Sequence, residues 1–596
     1  MKAFLPISLE EIKERNWDSI DFLFINGDAY VDHPSFAGAV ICRVLEAQGY
    51  KVAMLCQPDW HNIKNFSVLG KPNYAVLICG GNLDSMLCHY TAAKKKRSED
   101  KYSPGGINGK RPDHATVIYS QCIKKLWSDM PVIIGGIEAS LRRFVHYDYW
   151  ENKLLPSILE ESRADLLVYG MGEKQIVEIA DYLSGGAAIR DLHYIKGTAY
   201  ACAKDELDNL QDFVELPSYC DIQKDRKLFA TAYNKQADEQ DPIRGKILVQ
   251  KGENEFIVQN PPAEPLTEKE MDAIYDIEYQ RLWHPIYDEQ GGVPALDEAK
   301  FSIVSSRGCF GSCSFCAIHA HQGRIIQARS HASILQEAKL LTTFPDFKGY
   351  IHDVGGPSAN FRHPSCEKQL KIGTCKDRKC LFPEPCSNLN SDHSDYAKLL
   401  NEVRALPGVK KVFIRSGIRY DYLLSDKNDA FFRQLCQHHI SGQLKIAPEH
   451  IADSVLAYMG KPNKKVYLNF MRKFQRINHE LKMNQFLVPY FISSHPGCKL
   501  QDAVSLAEFL RDIKHYPKQV QDFIPTPGSA STAMYYSGVD LKTGKEIFIA
   551  KSTNDKAMQR ALLQYRNPRN YRLVLQALRL AKREDLIGKG SKCLIH

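Results

Sequence analysis

Residues 307–319 read R-G-C-F-G-S-C-S-F-C-A-I-H and place thiols at Cys309, Cys313 and Cys316. Three cysteines spaced C-x3-C-x2-C on a glycine-interrupted loop can converge on three irons of a cubane [4Fe-4S] cluster, leaving the fourth iron without a protein ligand. That open iron is where chemistry could happen. Zinc competes for the same residues: His319 or His321 would add an imidazole to three thiolates, a set that closed tetrahedral zinc sites accept. The bland alternative is three buried thiols packed as small hydrophobes. The fold that carries the loop must decide.

A second group, Cys366, Cys375, Cys380 and Cys386, puts four thiols in 21 residues, against about 0.6 expected from 17 in 596. That density points to a metal. The first gap is too wide for a paired zinc ribbon, so an auxiliary iron-sulfur cluster rivals zinc, with free thiols in a lid as the third reading.

Around both groups, strand-like runs at 301–304, 350–354, 411–415, 443–446, 485–491 and 520–524 alternate with helical patterns such as 332–342, 396–406 and 466–481. Six βα units predict a partial parallel (β/α)6 barrel over 296–545, with the second cysteine group inserted at 355–395. The three-thiol loop leaves the end of the first strand, the side on which parallel barrels carry their sites. Placement there is what the family resemblance given below implies for a cluster, and zinc predicts no such placement, so the cluster is favoured.

Before the barrel, short apolar runs at 22–25, 52–56, 74–79, 132–134 and 166–169 alternate with helices at 37–48 and 173–183. This predicts a doubly wound parallel sheet over 1–205, followed by a connecting segment at 206–295 with a helix at 267–282. Ligands of such sheets gather at the strands' carboxyl ends, here G-D-A-Y-V-D-H-P-S-F (27–36), C-G-G-N (79–82), G-G-I-E-A-S (135–140) and G-M-G-E-K (170–174). No G-x-G-x-x-G opens the first helix, so a dinucleotide fingerprint is absent. Segment 94–114 is polar, basic and glycine-rich, a lid or a substrate contact.

Composition, 44% hydrophobic and 25% charged, is that of a globular protein. The start, M-K-A-F-L-P, is a poor signal peptide, and no run of 18 apolar residues occurs. A cytoplasmic location is expected, where seventeen cysteines stay reduced. Residues 551–596 hold eleven Lys and Arg against three acids, as large an excess as the whole chain's +8. The tail at 546–596 is therefore a basic helical segment, either meeting nucleic acid or presenting a solvated face.

The loop's spacing, with Phe315 ahead of the last cysteine, resembles the signature of radical S-adenosylmethionine (AdoMet, SAM) enzymes, whose AdoMet chelates the free iron. The first domain resembles the cobalamin-binding type that precedes the barrel in many of them. Its D-x-H-x-x-G element, which supplies a histidine to cobalt, is missing, since Asp32 and His33 are adjacent. That counts against cobalamin, although some cobalamin-dependent radical enzymes dispense with the ligand. D-V-G-G-P (353–357) sits where these enzymes hold the AdoMet amino group, with proline replacing the usual acid, which makes Gly355 and Gly356 candidate contacts. I-R-S-G-I-R-Y-D (414–421) and the segment 446–462 resemble the third and fourth strand ends, adding Arg415, Ser416, Arg419 and Glu449. Their structural alternatives are ion pairs and a helix-start carboxylate.

Across nearly the whole chain, G-D-A-Y-V-D-H-P-S-F, G-G-I-E-A-S-L-R-R-F-V-H-Y-D-Y-W, V-Y-G-M-G-E and D-V-G-G-P-S-A-N resemble the YgiQ-type radical AdoMet proteins. The resemblance implies an enzyme that takes an electron from a flavodoxin- or ferredoxin-type donor and generates a 5′-deoxyadenosyl radical, with the substrate unnamed. RNA modification and cobalamin-dependent methyl transfer are the alternative outcomes, and an iron-sulfur or zinc redox-sensing scaffold is the non-enzymatic one.

Overall fold

The computed structural model describes residues 3–518 and 520–596. Its first unit is built on a nine-stranded sheet ordered Phe213–Leu216, Ile247–Lys251, Phe256–Gln259, Thr198–Cys202, Leu166–Val168, Val132–Gly135, Ala75–Cys79, Phe22–Asn26, Val52–Cys56. The five strands from Leu166–Val168 to Val52–Cys56 run parallel. Every residue of Phe22–Asn26 and Ala75–Cys79 is buried, as unbroken apolar runs must be when helices cover both faces. Phe24, Leu77, Ile133 and Val168 pack under the helices Ala37–Ala47 and Glu173–Ser184 on one side. Leu23, Ile25, Val76 and Ile134 face Ala115–Leu126 on the other. The doubly wound expectation holds.

Strand order reverses between Phe22–Asn26 and Ala75–Cys79, because the chain first steps outward to Val52–Cys56 and then crosses back. A crevice opens at the carboxyl ends of strands flanking such a reversal.

Three sequence expectations are corrected here. Segment 206–295 is not only a connection, because Phe213–Leu216, Ile247–Lys251 and Phe256–Gln259 extend the first sheet. Charged flanks hid these short strands, and the hairpin of the last two is closed from far away: the Glu160 carboxylate accepts backbone N–H bonds from Glu253, Asn254 and Glu255. The helix expected at 267–282 stops at Tyr275, with Thr267 and Glu270 forming its capping box. Segment 94–114 is no loose lid either. Arg111, buried, pairs with Asp28 at 2.6 Å and Asp100 at 2.9 Å, which ties the segment to the first strand's end.

The second unit is the partial barrel. Ser302–Val304 pairs with Asp353–Gly355, Tyr350–Ile351 with Lys411–Val412, Gln443–Glu449 with Phe486–Ser493, and the last with Gln521–Asp522, all parallel. Ile303, Ile351, Val354, Val412, Leu444 and Ile446 fill the interior under surrounding helices. The ladder slips between Ile446 and Glu449, and such irregularities re-aim side chains near sites.

The basic tail folds as two helices, Thr553–Leu563 and Tyr571–Leu580, packed on Leu500–Asp512 through Val504, Leu562, Val574 and Leu578. Asn567 caps the turn at Pro568. Among the described residues, no helix is long and apolar enough to cross a membrane.

Candidate functional site

Ser306–Arg307, just past the first barrel strand, pairs antiparallel with Gln327–Ala328 and closes a loop that holds the three thiols. Gly308 starts the loop at φ 86°, and a Cβ there would stand 2.4 Å from the Ile325 carbonyl oxygen. Only glycine fits that turn. Phe310 anchors the loop by stacking on Phe361 at 3.8 Å between centroids, with Tyr422 edge-on at 5.4 Å. Backbone bonds from Ser314 N–H to the Met459 carbonyl, 2.9 Å, and from Ser531 N–H to the Ser314 carbonyl, 2.8 Å, fasten it to the far side of the barrel.

Cys309, Cys313 and Cys316 are half-buried and feel one another's charge. Burial, then the charges of Cys313 and Cys309, pushes the Cys316 thiol up to about 12. Burial and Cys313 likewise raise Cys309. Burial also opposes ionisation of Cys313, but Arg419 and Lys461 outweigh it and lower that thiol. The Arg419 guanidinium donates to Cys313 Sγ at 2.9 Å and is held by Asp421 at 2.7 Å. Among the described residues, no three Cys, His, Asp or Glu side chains stand ready around one ion. Burial beside Lys379 and Arg324 pushes the His319 imidazole down to about 3.

The other candidates fall into two groups. Phe315, Arg419 and Glu449 lie beside the thiols. Glu449 sits at the strand irregularity with φ 69°, 3.8 Å from the Lys461 ammonium, which itself lies 6.0 Å over the Phe315 ring. Burial raises Glu449 despite Lys461 and Arg419. Gly355, Gly356 and Ser416 instead line a cavity. A Cβ on Gly355 would meet Ser416 Oγ at 2.5 Å, and one on Gly356 the Ser306 carbonyl at 2.5 Å. Asp353 engages the Ser416 hydroxyl and accepts the Arg415 N–H at 2.9 Å, while the Arg415 side chain is exposed. Lys461 and His495, which meets Phe315 edge-on at 6.2 Å, were missed in the sequence. Neither falls in a motif whose spacing suggests a ligand.

That cavity, of about 650 Å³, runs from Gly355, Gly356 and Ser416 across the first barrel strand to Gly81, Asn82 and Gly136 at the sheet's reversal point. Its walls are mostly apolar, including Phe24, Leu77, Ile133 and Val168. His33 does not line it. Burial pushes that imidazole well down; it faces Arg281 at 3.3 Å, and its neighbour Asp32 pairs with Arg43. The Asp32-His33 pair is thus structural.

The insertion rests on the thiol loop. Lys379 donates to the Ser312 carbonyl at 2.8 Å and to Ser314 Oγ at 3.2 Å, and Cys380 packs with Cys309 on the aromatic group of Phe310, Phe361 and Tyr422. Cys386 N–H closes a turn on the Cys380 carbonyl at 2.9 Å, and Cys380 donates to Ser365 Oγ at 3.2 Å. Burial raises the Cys380 thiol against the opposing pull of Ser365 and Arg324. These thiols too do not form a ready set around one ion among the described residues.

Comparison with known proteins agrees with this architecture. The Radical SAM N-terminal family matches residues 4–302, and a domain of unknown function, DUF3362, matches residues 518–596. A UPF0313 protein of Clostridium botulinum (strain ATCC 19397 / Type A) is 56% identical over 592 residues, 99% of this chain and 92% of its own. UPF0313 protein CPE1196 of Clostridium perfringens (strain 13 / Type A) is 54% identical over 593 residues, 99% and 89% respectively. Among solved structures, the cobalamin-dependent S-adenosylmethionine radical enzyme OxsB with aqua-cobalamin bound superposes with a TM-score of 0.50 at 10% identity, over 97% of this chain and 77% of that one. This last is a likeness of fold.

Proposed function

Because the chain belongs to the UPF0313 family and is a radical SAM enzyme, we propose that Cys309, Cys313 and Cys316 hold a [4Fe-4S] cluster at which AdoMet is reductively cleaved. The observation that carries this is the three-thiol loop pinned at the end of the first barrel strand, with Arg419 donating to Cys313. When bound and reduced, the cluster supplies the electron that splits AdoMet into methionine and a 5′-deoxyadenosyl radical. The chain's own part is positional. Arg419 compensates thiolate charge, Gly355 and Gly356 let Ser416 and Ser306 pack against the backbone at the cavity wall, and Glu449 with Lys461 offers polar contacts beside Phe315. A flavodoxin- or ferredoxin-type protein is the proposed electron donor and the cytoplasm the proposed location. The closer likeness to YgiQ-type proteins rests on the sequence motifs. The test is anaerobic purification, with iron counted per chain and 5′-deoxyadenosine measured under reduction. Replacing all three cysteines by alanine should abolish both, and a triple variant that still makes 5′-deoxyadenosine refutes the assignment.

A second reading adds a corrinoid. It is supported by the cavity that joins the Gly355-Gly356 turn to the sheet's reversal point, where doubly wound sheets hold ligands. Cobalamin, when bound, supplies a cobalt centre suited to methyl or radical chemistry. Mostly apolar walls with a few polar groups such as Asn82, Gln322 and Ser416 are the usual lining of a cofactor cavity, and the missing D-x-H-x-x-G histidine removes one ligand without closing it. Hydroxocobalamin binding by the full chain, followed as cobalt retained after gel filtration, tests it. Absence of binding sinks this reading and leaves the first intact.

A further inference from the structure

Glu173 and His321 meet where the two domains touch. Glu173 is the first residue of Glu173–Ser184 in the first domain. His321 lies on Ile318–Gln322, the short helix that follows the thiols. The contact is tight, since a Cβ on Gly170 would reach within 3.1 Å of the His321 carbonyl oxygen. Arg307, two residues before Cys309, donates to Glu173 Oε1 at 2.5 Å. The other oxygen, Glu173 Oε2, is buried with no hydrogen-bond partner, and so is His321 Nδ1. Buried polar atoms left without partners are uncommon and call for an explanation.

Both residues line the 650 Å³ cavity, and among the described residues His321 is the only imidazole that does. Burial holds that ring neutral, its pKa pushed down to about 4 although Glu173 pulls it upward. A neutral imidazole is the form that binds a metal. Histidine ligands characteristically give their second ring N–H to a carboxylate, which fixes the tautomer and raises the basicity of the ligating nitrogen. Glu173, whose charge acts on this ring, has one carboxylate oxygen unused, with Arg307 holding its twin.

Resting on the corrinoid reading above, we propose that His321 is the protein's nitrogen ligand to the cobalt of a corrinoid bound between the domains, positioned by the free oxygen of Glu173. The ligand thus comes from the barrel side, next to the iron-sulfur loop, rather than from the first domain, whose His33 faces Arg281. This explains why a chain without D-x-H-x-x-G retains a cavity with an unpartnered imidazole on its wall.

The test uses the full chain, purified anaerobically, loaded with hydroxocobalamin and reduced to the Co(II) state. Electron paramagnetic resonance then reports any nitrogen on cobalt. The expected signal is a superhyperfine triplet that becomes a doublet when the protein carries nitrogen-15 histidine. In His321→Ala, and in His321→Gln should alanine impair folding, the nitrogen splitting disappears while cobalamin remains bound. Glu173→Gln should keep the splitting and weaken cobalamin binding about tenfold or more, the scale of lost support behind a histidine ligand. Splitting absent from the wild type, or present but insensitive to histidine labelling, overturns the assignment while leaving the corrinoid reading standing. Failure of the wild-type chain to bind hydroxocobalamin overturns both, with AdoMet cleavage untouched.

Discussion

The Arg307-Glu173 ion pair is a clamp between the first domain and the thiol loop, and its strength can be worked out. Both side chains are about 5% exposed or less and 2.5 Å apart. At an effective dielectric of about 20, unit charges at that distance attract by roughly 6–7 kcal/mol. Burying them costs several kcal/mol per ion, so much of that attraction is cancelled. Removing one partner leaves the other charge buried and unpaired, at a cost of about 3–5 kcal/mol. Arg307→Met and Glu173→Gln should each show this loss, and the double variant should cost much less than their sum, a coupling of about 2–4 kcal/mol. Arg307 also donates to Tyr275 Oη at 3.1 Å, but that loss is common to both arginine variants and cancels in the cycle. A chain of 596 residues is not expected to unfold in one step. The assay is therefore hydrogen exchange, read as local opening free energies of Glu173–Ser184 and residues 308–326. Effects that add within about 0.5 kcal/mol would show that no clamp exists.

Three further outcomes follow from the geometry. Gly308→Ala should strip iron from the purified protein, because the new Cβ collides with the Ile325 carbonyl, whereas Gly323→Ala, at φ 82° with nothing within 4 Å, should cost only about 1 kcal/mol and keep it. Equal iron content in the two variants would contradict the role given to the turn. Glu161, pushed up to about 7 by burial from an ordinary 4.5, favours its protonated form in the folded state. Its stabilising contribution is therefore complete below about pH 4.5 and is lost as pH rises through 7, a change of a few kcal/mol at most. Glu161→Gln should flatten stability across that window, and an unchanged slope excludes Glu161 as its source. An RNA substrate would meet the exposed Arg569, Arg572 and Arg579 of the tail. Reversing these three to glutamate should then lower the log-log salt slope of RNA binding by about 2 or more, and an unchanged slope rules the tail out.

Parts of this molecule were legible from the sequence because a local pattern determines them. The buried runs F-L-F-I-N and A-V-L-I-C announce central parallel strands, since only strands covered on both faces tolerate such continuity. The thiol loop was legible because three ligands lie within eight residues and their strand precedes them directly. Strands at Ile247–Lys251 and Phe256–Gln259 were not, because their hairpin is closed by Glu160, about ninety residues upstream.

The residues that join the domains were harder still, for a physical reason. Glu173 was visible only as part of a glycine-rich turn, and His321 only as an alternative zinc ligand. What gives them meaning is a contact between segments about 150 residues apart, in which Arg307 takes one carboxylate oxygen and leaves the other free. Spacing along the chain cannot encode that. It arises because a helix starting at the sheet's carboxyl edge meets the helix after the thiols, so the packing that brings both residues to the cavity wall also leaves one polar atom of each buried without a partner. A purely structural interface would be expected to satisfy both atoms, since each unpaired buried group costs about 1–3 kcal/mol. Their place at the cavity wall, beside the loop that carries the chemistry, is why this pair is proposed to serve a bound ligand.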